Sequence, residues 1–245
     1  KKAFKNLKSR LKNTKLKIMF KQNKNNINLL IFFSGSIIFL FKWYLSFANF
    51  DEDISVKIIF ESVSDGYYYF PELKLLTDFN LSNSFDPFVK NLGTIAIPTG
   101  AFFLHFIFYL IFDVWCFIIL EFFFITIFIV IFYKISRLLN LDRLQSVAVA
   151  LILFNIPFFF ELLNLNNVQY FNVIFSEFYS FRFPRPMVSN IFFFVFILFV
   201  LRLNKNEIFT KKNSIIFGTI SGFSFTSFYH FFILEQLFII SFLLI

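Results

Sequence analysis

The amino-acid sequence predicts an all-α protein, a polytopic transmembrane helix bundle of about five or six spans with an outer-face loop region after the first span. Three observations predict it. Apolar residues make up 58% of the 245 residues, charged residues only 16%, and mean hydropathy is +0.73. A soluble domain is typically about 45–50% apolar and about 25% charged. The apolar residues stand in long blocks, and the expected inner loops between them are basic while the long outer loop is acidic.

The chain opens on a basic arm, residues 1–26. Ten of the 23 lysines and arginines lie between Lys1 and Lys24, and that stretch holds no acid. The net charge of +8 is therefore a membrane-sidedness signal rather than a nucleic-acid one. The arm is expected in the cytoplasm and no nucleic-acid partner is expected. Residues 27–245 form the expected transmembrane domain.

Ile27–Ala48 is the first expected span. Roughly 20 residues at about 1.5 Å each cover the ~30 Å hydrocarbon core. The block is longer than a signal-peptide core and has no clear small-residue cleavage site. Lys42, Trp43 and Tyr44 near its far end suit a snorkelling lysine and an aromatic belt. Residues 50–97 follow as a long outer loop with eight acids against Lys57, Lys74 and Lys90. The basic arm and this acidic loop set the direction of the first span.

Pro98 opens an apolar region that reaches Tyr133, too long for one span. It divides at Asp113 into a short helix, Thr99–Phe112, at the outer interface or on the bundle, and a second span, Val114–Tyr133. Lys134, Arg137 and Arg143 mark an inner turn. Further spans are expected at Leu144–Phe160, Met187–Leu203, Ser214–Phe228 and Phe231–Ile245, with an outer loop at Glu161–Pro186 and an inner one around Arg202, Lys205, Lys211 and Lys212. Gly218 and Gly222 make a small-residue face open to close helix approach. The sequence stops within its last apolar block, the pattern expected of an N-terminal fragment of a longer protein.

Forty-seven residues are Phe. With the abundant Ile, Lys and Asn, this composition is expected from an AT-rich genome acting on lipid-facing positions. The single cysteine, Cys116, excludes an intrachain disulfide and a cysteine metal site.

Chemistry concentrates in the outer loops. Ser64-Asp65-Gly66-Tyr67-Tyr68-Tyr69-Phe70-Pro71 puts a carboxylate before a glycine that permits a sharp turn. Asp65 there suits a general base or an oxygen ligand to a divalent metal, although local physics alone favours the N-cap of a surface helix. Asp51 and Asp53 are a second acidic pair, and the alternative to Asp65. Phe181-Arg182-Phe183-Pro184-Arg185-Pro186 sets two guanidiniums beside the outer surface, against the positive-inside trend, where Arg182 and Arg185 suit a lipid-linked phosphate. Head-group anchoring or pairing with Glu177 uses the same arginines. Glu121 lies about two turns into the second span and is the better candidate for a buried partner. His105 is isolated, which favours a structural role. No phosphate-cradling glycine loop, nucleophile elbow, zinc spacing or dinucleotide fingerprint is present.

The order of these features resembles the GT-C superfamily of polytopic glycosyltransferases, which includes oligosaccharyltransferase, mannosyltransferase and aminoarabinose-transferase types. The matching residues are Asp65 with Tyr67, Tyr68 and Tyr69, then Ile97-Pro98-Thr99-Gly100 and His105 ahead of the second span. The motifs are short, and the usual paired acid is here Asp65-Gly66. The resemblance implies transfer of a sugar from a polyprenyl-phosphate donor on the outer face, with Asp65 as base or metal ligand. It implies a bacterial inner membrane, with the bilayer and the lipid-linked donor as partners. Any cofactor beyond a divalent metal is left open, as are the sugar and the acceptor. A transporter or lipid-carrier flippase, with charges inside several spans, and a non-catalytic membrane scaffold are the alternatives.

Overall fold

The computed structural model describes residues 26–48, 53–63, 66–78, 98–162, 183–184, 187–203 and 210–244, with backbone alone at 66–68, 157–162 and 242–244. The described residues are all-helical. In chain order the helices are α1 (Asn26–Ala48), α2 (Ile54–Ser62), α3 (Gly66–Thr77), α4 (Thr99–Phe112), α5 (Trp115–Leu138), α6 (Arg143–Leu162), α7 (Met187–Val200), α8 (Lys211–Ser227) and α9 (Tyr229–Leu244).

Each expected apolar helix is present within a few residues of its expected bounds. Among the described residues, only α1 and α5 are long and apolar enough to cross a membrane. α4, α7, residues 143–156 of α6 and 229–241 of α9 are shorter apolar helices. At about 1.5 Å per residue, the 14 residues of α7 rise only about 21 Å, short of a ~30 Å core.

The fold is a chain of helical hairpins. α4 ends at Asp113, which takes φ 49°, and the chain reverses there into α5. A positive φ is tolerated better by Asp than by most side chains, so the division at Asp113 has a backbone cause. α5 and α6 pair through a turn at Asn140, φ 65°. Asp142 Oδ1 accepts from Gln145 N at 2.8 Å while Gln145 Oε1 accepts from Asp142 N at 3.2 Å, a reciprocal box that satisfies donors at the start of α6. α8 and α9 form a third hairpin about the single residue Phe228.

α1 runs antiparallel to α5. Phe39 meets Phe122, and a side chain at Gly35 would meet Thr126 and Ile129. Most of its apolar surface nonetheless stays uncovered, including Leu29, Phe33, Ile37, Leu40 and Phe41. The other helices add Phe103, Ile111, Phe123, Ile152, Phe225 and Leu237 to this exposed apolar surface.

Phenylalanine is not confined to the outside. Phe102, Phe117, Phe124, Phe128, Phe132, Phe154, Phe183 and Phe196 are buried, and their rings pack edge-to-face or tilted. Cys116 is a buried packing residue.

α4 crosses α8 at Gly100. A Cβ there would lie 2.3 Å from Thr226 Oγ1 and 2.7 Å from Ser227 Oγ, with the Phe223 carbonyl at 3.1 Å. Gly100→Ala is therefore expected to cost about 1–3 kcal/mol by forcing the helices apart. Gly218→Ala, with nothing within 4 Å of its Cβ, is expected to be neutral or to gain about 0.5–1 kcal/mol in helix propensity. Thermal unfolding of the two variants in detergent checks this, and equal shifts would rule out the close α4–α8 contact.

Candidate functional site

Two regions carry polar chemistry in an otherwise apolar fold. The first is where the two expected outer loops meet. α2 begins at Asp53, whose carboxylate caps it by accepting from Ser55 N at 2.7 Å. α2 ends at Val63, which pairs with Phe183 as an isolated parallel bridge, and Phe183 N donates to Ser62 O at 2.7 Å. The Phe183 side chain is fully buried. Its ring centroid lies 3.9 Å from that of His105, 5.0 Å from Phe102 and 5.7 Å from Phe117. Tyr69 of α3 packs on Phe102 at 5.8 Å. One phenylalanine thus ties the segment before α7 to α2, α4 and α5.

His105 belongs to this aromatic cluster. It is fully buried, and neither ring nitrogen has a hydrogen bond of ordinary geometry among the described residues. Burial pushes its pKa down to about 3, with the Ala101 carbonyl opposing weakly. The imidazole is neutral and sealed from solvent, which is a packing role.

Asp51, Asp65, Glu177, Arg182 and Arg185 lie outside the described residues. Of Tyr67 and Tyr68 only the backbone is described, in the first turn of α3, which begins immediately after Asp65. Among the described residues, no group of three or more His, Cys, Asp and Glu forms a metal-holding cluster.

The second region lies within the helices. Lys42 Nζ sits 2.5 Å from Glu121 Oε1, joining α1 to α5. Glu121 is fully buried, and its other oxygen has no hydrogen bond of ordinary geometry among the described residues, with the Trp43 indole beside the carboxyl. The same ammonium lies 5.1 Å from the Trp43 ring centroid, and Trp43 is itself buried. Lys42 therefore points inward rather than snorkelling out. The buried carboxylate holds the ammonium inward, because an unpaired charge in apolar surroundings is the costlier alternative.

A second buried acid, Glu235 of α9, was not among the residues singled out from sequence. The signal was available, since Glu235-Gln236 interrupts an apolar block. Glu235 is fully buried, and Oε1 accepts from Ser224 Oγ at 2.5 Å.

The chain matches no protein-family model, no curated protein and no solved structure. What the fold defines is an all-helical protein with two helices long and apolar enough to cross a membrane, and with buried ionisable groups on helices that pack together.

Proposed function

We propose that the chain is a polytopic membrane glycosyltransferase of GT-C type, using a polyprenyl-phosphate sugar donor at the outer face of a bacterial inner membrane, with the N-terminus cytoplasmic. In this reading α1, α5, α6, α7, α8 and α9 cross the bilayer, and α4 packs at the outer side. The uncovered apolar surface of α1, α5 and α9 supports it, because soluble proteins rarely leave so much contiguous apolar area in water.

The observation that carries the chemical part is the Val63–Phe183 bridge. It joins the two loops on which Asp65 and the two arginines stand. Asp65 is two residues beyond Val63, Arg182 immediately precedes Phe183, and Arg185 is two residues beyond it. Successive Cα atoms are about 3.8 Å apart, so a carboxylate and two guanidiniums are tethered within a few chain links of one contact. Inverting transfer needs such a pair: a base to take the acceptor proton and cations to stabilise the departing phosphate.

The test is sugar transfer from a polyprenyl-phosphate donor by the full chain in nanodiscs. Asp65→Asn is expected to lower the rate by about 10²–10⁴-fold, the range for losing a general base. Arg182→Gln and Arg185→Gln are expected to weaken donor use. An unchanged rate for Asp65→Asn removes the assignment, and adding EDTA to the wild-type assay tests dependence on a divalent metal.

A second reading, a transporter or lipid-carrier flippase, is favoured by Glu121 and Glu235, two buried carboxylates on different helices. It predicts substrate movement across vesicles without sugar transfer.

A further inference from the structure

We infer that the α8–α9 hairpin holds a hard monovalent cation of the Na⁺ class on Glu235, Ser224 and Ser221, in exchange for a proton. Glu235 is fully buried, with one oxygen held by Ser224 and the other without a hydrogen bond of ordinary geometry among the described residues. Among the described residues no cationic side chain faces it. α7 contains no titratable residue. α8 has only Lys211 and Lys212, exposed in its first turn and about three turns from Ser224. α9 adds Tyr229 and His230, both exposed at the hairpin turn. α4, which packs on α8, adds His105 and Tyr109, whose rings lie against Phe117. The carboxylate therefore lacks a countercharge among the described residues, and a proton or a cation has to supply it.

A separate observation opens the position to a ligand. A groove of about 460 Å³ runs along the same hairpin, lined by Gly218, Ser221, Gly222, Phe225, Phe232 and Gln236, and Ser221 is the residue it shares with the Glu235 cluster. Ser221 is nine-tenths buried, and its hydroxyl has no hydrogen bond of ordinary geometry, though it stands next to the Glu235 carboxyl. Gly218 and Gly222 leave space, with no atom within 4 Å of a Cβ at either. Such a cavity, roomy and bearing polar groups, admits water and a small ion.

The donor set selects the ion. It is all oxygen, which suits hard cations rather than soft transition metals. One carboxylate provides a single negative charge, which a monovalent ion balances. The exchange conserves charge: the protonated Glu235 releases H⁺ as its carboxylate takes up M⁺. The inference does not depend on sugar transfer, because α8–α9 is separate in the chain from both outer loops.

The test is thermal unfolding of the full chain in detergent, with NaCl, LiCl or KCl against equal choline chloride at pH 5 and pH 8. Binding to the native state alone raises Tm in proportion to occupancy. A Na⁺-dependent rise that is larger at pH 8 is expected, because protons compete for the same carboxylate. Glu235→Gln is expected to abolish the rise. Should that variant fail to fold, Ser221→Ala, a milder change, is expected to raise the half-saturating Na⁺ concentration about tenfold, the low end of what losing an oriented group costs a metal site. Equal wild-type Tm in all four salts at both pH values overturns the inference. So does a Na⁺ response that survives Glu235→Gln, or an unchanged half-saturation in Ser221→Ala.

Discussion

Lys42→Met is expected to destabilise the fold by about 3–5 kcal/mol, the cost of leaving a buried carboxylate without its partner. Glu121 is fully buried and paired at 2.5 Å, while the lysine side chain keeps about a fifth of its surface open. The asymmetry matters, because the carboxylate is wholly enclosed by protein and the ammonium is not. The double variant Lys42→Met/Glu121→Leu is accordingly expected to recover most of the loss, since replacing both charges by apolar groups of similar volume is often neutral or better. A double-mutant cycle in chemical or thermal unfolding measures this. Additive losses would mean that the two residues do not meet.

Phe183→Ala is expected to cost a further about 3–5 kcal/mol as an independent change, the range for emptying a buried phenylalanine position. The ring is fully enclosed by Phe102, His105 and Phe117. The hydrogen bond from Phe183 N to Ser62 O is a backbone interaction and survives the substitution. The loss in Tm therefore reports the aromatic cage rather than the bridge. Phe183→Leu keeps most of the volume and is expected to cost less than half as much. If sugar transfer is the function, Phe183→Ala also lowers it at temperatures where the protein is still folded, because the backbone bridge alone, without the ring's packing, holds the loops that carry Asp65 and the arginines less firmly. A Tm within a degree of wild type would show that the cage is not formed.

The helices were legible because hydrophobic blocks and their flanking charges are local signals. α1 differs from its expected start by one residue, and the break between α4 and α5 falls at the acid where the apolar run is interrupted. Helix length was less legible. The bounds of α4 match expectation, but Leu201 and Leu203 carry the apolar run past Val200, where α7 ends, so composition overstates how far α7 rises. Pairings across the fold were not legible at all. Nothing local to Phe183 separates it from 46 other phenylalanines, and its role depends on where His105 and Phe102 arrive in space. Lys42 was misdirected for a related reason. Flanked by Trp43 and Tyr44 it has the composition of an interfacial anchor, and only the approach of α5 turns it inward. Asp53 is engaged as the cap of α2, a use that a carboxylate one residue before a helix shares with many surface acids. Glu235 needed no tertiary knowledge, only the rule that an acid inside an apolar block requires an explanation.

Under the membrane-spanning reading, the Lys42–Glu121 pair has a consequence for the order of insertion. Synthesis runs from the N-terminus, so α1 emerges from the ribosome with its ammonium long before α5 arrives with its acid. Under the membrane-spanning reading, the positive partner waits at the depth where the negative one enters, and α5 leaves the translocon into a site already prepared for it. Reversing the two residues, lysine on α5 and glutamate on α1, would preserve the contact in the finished fold while sending an uncompensated carboxylate in first.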